Sequence, residues 1–241
     1  MLHGKTFDQL PLNLQERIED TQLTLYILDA KAPERAKLDI FERVNSGEPL
    51  TRQQMRNCLY NGPATRWLQS VATSDIFLNA TGRSLASKTM RDREAINRFC
   101  AFQIKGWQSY KSADMDGFLA DALERMNKMD AVQREDLRAR FECSMANNSA
   151  LFGVHAFRKS LVQGEGDRFV LNIALFDVCS VYFAGIPERQ VAEHAESYRA
   201  AVRHLITDDV FEHAITYSTN SVAQIKKRFE MMNTALEALA F

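Results

Sequence analysis

The stretch FERVNSGEPLTRQQMRN, residues 41–57, gathers the residue types that hold an anion. Gly47 suits the left-handed position that closes a helix. Pro49 blocks simple continuation. Thr51, with Gln54 three residues later, forms a capping box that starts the next helix. The N–H groups of a helix start carry partial positive charge and receive phosphate readily. Arg43 and Arg52 flank this start with guanidinium forks that match phosphate oxygens. Glu42 could hold a magnesium ion, and Asn45 could orient a phosphate or a ribose. The plain alternative is a helix-turn-helix corner with solvated charges.

A second group is HAFRKS, residues 155–160. His155 could serve as a base, and Arg158 and Lys159 could contact phosphate or nucleic acid. Alternatively, Phe157 anchors a loop and the charges are solvated. The run RDRE, 91–94, reads as a surface helix turn with local ion pairs. KKRFEMMN, with Lys226, Lys227 and Arg228, is a small basic patch with some capacity for nucleic acid. His194, His204 and His213 follow no ligand spacing, so no metal held by protein alone is expected. The phosphate-binding, dinucleotide and nucleophile-elbow glycine motifs are absent.

Positioning these residues falls mainly to helices. Only 10 Gly and 5 Pro interrupt 241 residues, so long periodic runs dominate. LTLYILDA, 23–30, is the clearest strand candidate, and PLNLQERIEDTQ before it reads as a short helix begun by Pro11. Ala36, Ile40, Phe41 and Val44 share one helical face. From residue 88 onward the pattern is helical. One helix turns Ala95, Phe99 and Phe102 inward, and the next turns Leu119, Ala122, Leu123 and Met126. RFVLNIALFDVCSVYFAGI, 168–186, is apolar nearly all round and should be a central buried helix. Pro187 opens a helix with Val191, Tyr198, Val202 and Leu205 inward. Val222, Ile225, Phe229, Met232, Leu236 and Leu239 form a seam of alternating threes and fours. That seam packs within its own bundle or joins two copies as a homodimer.

Net charge of −1 provides no global field for nucleic acid, though a local patch could still contact DNA. The start lacks a signal peptide and no apolar run is long enough to span a membrane. Scattered Cys58, Cys100, Cys143 and Cys179 read as reduced thiols, and the expected compartment is the cytoplasm.

IFERVNSGEPLTRQQMRNCLYNGP resembles the signature of the DUF262 family, the N-terminal domain of GmrSD-type restriction endonucleases. GKTFDQLPLNLQERIEDTQLTLYIL, MRDREAINRFCAF, LFGVHAFRK and FVLNIALFDVCS resemble further family blocks in order. The resemblance implies a ParB/sulfiredoxin-related α/β module with nucleotide-dependent NTPase or nuclease activity in phage defence. It would place Arg43, Asn45 and Glu42 beside the phosphates and metal of an NTP with Mg2+. The family's D-G-Q-Q-R motif is absent, and Gln54 stands where the family usually has Glu. The chain is therefore expected to be the C-terminal portion, inactive alone, completed by a chain or segment bearing D-G-Q-Q-R. The lone strand, needing partners, points the same way.

The resulting expectation is a mainly α protein. A residual α/β ParB-like segment, residues 1–80, precedes an α-helical bundle, residues 81–241. The competing function is a non-catalytic helical module that binds DNA, a protein or a second copy of itself.

Overall fold

The computed structural model describes residues 4–25, 27, 29, 36, 40, 43, 50–163 and 168–239. The chain divides into two compact units, Met1–Gly47 and Glu48–Phe241.

In the first unit, α1 (Leu12–Glu19) begins after Pro11, whose fixed φ of −54° prepares a helix start. The expected strand is not seen among the described residues. None of the described residues of 23–30 is in a strand, and Leu23, Leu25 and Ile27 stand 80, 80 and 92% exposed. A β-prone run with no neighbouring strand leaves its amides without a ladder, so propensity alone does not make a sheet. No strand occurs among the described residues, so the residual α/β segment is replaced by an all-helical architecture. Of the helical face expected between Ala36 and Val44, Phe41 and Val44 lie outside the described residues, while Ala36 is half-buried and Ile40 exposed.

The second unit is a helical bundle. Its helices are α2 (Arg52–Leu59), α3 (Pro63–Ala72), α4 (Asp75–Thr81), α5 (Arg91–Lys105), α6 (Met115–Lys128) and α7 (Ala131–Phe152). They continue with α8 (Ile173–Phe183), α9 (Glu188–Glu193), α10 (Ala195–Thr207), α11 (Asp209–Thr216) and α12 (Val222–Glu237). Side chains that accept the first free amides start many of them: Thr51 for α2, Asp130 for α7, Asn172 for α8 and Ser221 for α12. His194 leaves the helical region at φ −120°, ψ 25° and splits one expected helix into α9 and α10. Val191, Tyr198, Val202 and Leu205 nevertheless all turn inward.

Helices α5 and α8 form the centre. Helix α5 packs on α3, α6 and α8, while α8 also meets α7, α11 and α12. Ala95, Phe99, Leu119, Ala122, Leu123 and Met126 are wholly buried and Phe102 nearly so. Phe99 meets Phe141 edge-on at 5.0 Å, and Phe102 meets Phe229 at the same centroid distance. Ile225, Phe229, Met232 and Leu236 are buried, with Val222 and Leu239 packed against the same core. The α12 seam therefore packs within the chain.

Polar side chains hold the α7–α8 crossing. Ser144 Oγ donates to Ser180 O at 2.7 Å, and Asn147 Nδ2 donates to Phe183 O at 2.9 Å and Ile186 O at 2.8 Å. Asn147 thus supplies the last carbonyl of α8, and that of Ile186 just beyond it, with a donor that the helix itself cannot provide.

Candidate functional site

The first candidate is the corner at 41–57. Its capping box forms: Gln54 N donates to Thr51 Oγ1 at 3.2 Å and Thr51 N to Gln54 Oε1 at 2.7 Å. The box is also tied down, since Thr51 Oγ1 donates to Thr89 O at 2.9 Å and Gln54 Nε2 to Lys88 O at 3.0 Å. Arg52 is exposed, its Nε lying 3.6 Å from Asp116 Oδ2. Arg43 is helical and exposed in the first unit. Glu42 and Asn45 lie outside the described residues.

Below this cap the chain buries Gln53 and Arg56. Arg56 Nε donates to Gln53 Oε1 at 3.0 Å, and its Nη1 pairs with Asp116. Burial lowers the Arg56 pKa, although Glu94 and Asp116 oppose the shift. Gln53 Nε2 and Arg56 Nη2 make no hydrogen bond, although Arg56 Nη2 lies 4.0 Å from Glu94 Oε1 in an ion pair.

The second candidate, 155–160, is drawn into internal contacts. His155 Nδ1 lies 3.0 Å from Ser160 Oγ, and Lys159 pairs with Glu212. Arg158 is 1% exposed, not solvated. Its Nη1 donates to Ala156 O at 2.6 Å, and its Nη2 donates at 2.6 Å to both Thr81 O and Ser84 Oγ. Arg158 therefore caps the C-terminal end of α4, where backbone carbonyls concentrate partial negative charge. Phe157 is buried against Phe176 at 4.7 Å and does anchor the segment.

Arg168, which the sequence reading passed over, belongs to the same place. Its Nη1 donates to Gly82 O at 3.2 Å. Gly82 has φ +60°, and a Cβ there would lie 2.1 Å from Arg168 Nη1 and 3.5 Å from Arg158 Nη2. Glycine suits the left-handed turn, and a side chain there would oblige the exposed Arg168 guanidinium to swing aside. Burial, then the neighbouring Arg168, lowers Arg158 to about 10. A cavity of about 530 Å³ opens beside this turn, lined by Lys159, Arg168, Phe169, Val170, Leu171 and Asn172.

The most deeply buried charges belong to a third group. Arg98 Nε and Nη2 donate to the two oxygens of Asp177 at 2.8 and 2.6 Å. Arg228 Nη2 donates to Asp177 Oδ2 at 2.8 Å and its Nη1 to Thr219 O at 2.5 Å. Asn220 Oδ1 accepts from Arg98, and Asn220 O accepts from the Tyr110 hydroxyl at 2.7 Å. Burial opposes the Arg98 charge, but Asp177 overrides it and the pKa rises. Burial lowers Arg228 to about 10 despite Asp177. The group ties α5, α8 and α12 together. Arg228 is consequently an interior residue, and the surface patch expected at KKRFEMMN loses its arginine. Of its lysines, Lys226 pairs with Glu230 at 3.6 Å. A lone aspartate inside an apolar run was the available signal, because such a residue needs a buried partner.

Among the described residues, no three His, Cys, Asp or Glu side chains are grouped to hold a metal, and no helix is long and apolar enough to cross a membrane. Comparison with protein-family models, curated proteins and solved structures finds no match to this chain. The DUF262 and ParB resemblance is therefore corrected, since no family model matches and the described residues form helices without a sheet. With it go the sheet-based NTPase or nuclease site and the phage-defence role drawn from that family.

Proposed function

We propose that this chain is a non-catalytic helical binding module that engages a segment of a protein partner at the 168–172 edge. One observation carries this reading: apolar side chains are held outward on a pinned backbone over a cavity. Phe169 is 44% and Val170 87% exposed. Phe169 N donates to Ser160 Oγ at 3.3 Å, Asn172 N to Phe157 O at 2.9 Å and Asn172 Nδ2 to Ile215 O at 2.8 Å. A backbone fixed before binding loses less entropy on association, so its exposed apolar groups are worth more to a partner. Arg168 beside them offers charge to a partner of opposite sign. A cytoplasmic setting accompanies this reading and fits four free cysteines.

The test is a displayed-peptide selection on the immobilised full chain, followed by titration of the enriched peptides. The doubly substituted Phe169→Asp, Val170→Asp chain should bind them at least about tenfold more weakly. Its melting temperature should stay within about 2 °C of wild type, because both sites are exposed. No enrichment, or equal binding by the variant, would remove the reading.

A further inference from the structure

Leu23, Leu25 and Ile27 stand 80, 80 and 92% exposed. Their spacing of two puts them on one face of an extended chain. The described residues among 21–29 lie outside any helix. A β-prone apolar segment left this accessible is a template for pairing with another chain. None of the described residues of the first unit is buried, and α1 leaves Leu12 70% and Ile18 52% exposed. Apolar surface gathered this way marks an interaction site.

The pattern itself says what pairs with it. Directly opposite residues of an antiparallel pair share a face. A two-fold axis at Leu25 sets Leu25 opposite Leu25 of a second copy, and Leu23 opposite Ile27. All three exposed side chains then gain an apolar cross-strand neighbour, and Asp29 meets Thr21 rather than another acid. Moving the axis by one residue loses this match, because Ile27 then meets Thr21 or Leu23 meets Asp29.

We infer that residues 23–27 pair with the same residues of a second copy of this chain as a short antiparallel ribbon centred on Leu25, with the two α1 helices covering its apolar face. Two strands alone are marginal in water, and the exposed Leu12 and Ile18 of each copy supply the apolar cover. Each copy gives the other the ladder that its own described residues do not contain. This contact is independent of the docking reading at 168–172.

The test is light scattering on the full chain from about 1 μM to about 1 mM, the span in which a contact this small should assemble. The mass should rise with concentration from 27.5 kDa toward twice that value. Two double variants read the register. Leu23→Lys with Ile27→Lys sets like charges opposite each other, and should weaken the dimer about tenfold or more. Leu23→Lys with Ile27→Glu sets opposite charges face to face at the same positions, and should keep most of the dimer. Both sites are exposed, so neither variant disturbs the core. A wild type that stays monomeric throughout would overturn the self-pairing. Dimers of wild-type strength from both variants would place the contact elsewhere and overturn it too. Equal loss in both variants would show apolar adhesion without register, and would overturn the ribbon.

Discussion

Arg98 and Asp177 meet through two parallel hydrogen bonds of 2.8 and 2.6 Å, with both side chains almost wholly excluded from solvent. The geometry is the bidentate fork that makes a guanidinium–carboxylate pair strong. Arg228 shares the same carboxylate, so one anion compensates two buried cations.

The effects of substitution should therefore be unequal. Asp177→Asn leaves two buried cations without an anion, and should cost about 3–5 kcal/mol. Arg228→Met leaves the Arg98–Asp177 fork intact, and should cost about 1–2 kcal/mol. Urea unfolding of the two variants measures the order. A larger loss for Arg228→Met would show that the fork does not set the energy of this centre.

Gly82→Ala adds backbone strain at φ +60°, while its Cβ meets only the far end of the exposed Arg168 side chain, which can swing aside. The expected loss is about 1–2 kcal/mol, read by urea unfolding. An unchanged stability would show that the left-handed turn at Gly82 carries no cost for a side chain.

Thr51→Ala removes both the acceptor for Gln54 N and the donor to Thr89 O. Loss of about 1 kcal/mol is expected, with Thr51→Ser restoring most of it. Thermal melts of the three proteins decide it. An unchanged melt for the alanine variant would mean that the α2 start is held by packing alone.

Asp92 provides a pH test. Burial raises its carboxyl above the ordinary value of 3.8. Because the folded value is the higher one, its contribution is fully present below the unfolded value and lost as pH rises through the folded value. Asp92→Asn cannot lose it. The variant should melt roughly 1–3 °C above wild type at pH 7 and coincide with it near pH 3. A variant that melts lower at pH 7 would show that the Asp92 charge is welcome at the start of α5.

Helix positions and inward faces were legible in the residue order. Thr51 with Gln54, Pro11 and Pro187 mark starts that form where expected, and Phe99, Leu123 and Val202 point inward as their spacing required. These are local properties: a cap acts over three residues, and a helical face repeats every few. Tertiary structure decided the remainder. The run at 23–30 has β propensity, yet a strand exists only beside another strand. Arg228 and Arg158 read as surface cations until partners distant in sequence enclosed them: Asp177 lies 51 residues from Arg228, and Thr81 lies 77 from Arg158. Arg168 entered the candidate site only because folding carried it to Gly82, 86 residues away. No short-range period records such pairings. Whether a charge is solvated, compensated or left over depends on what the fold packs against it.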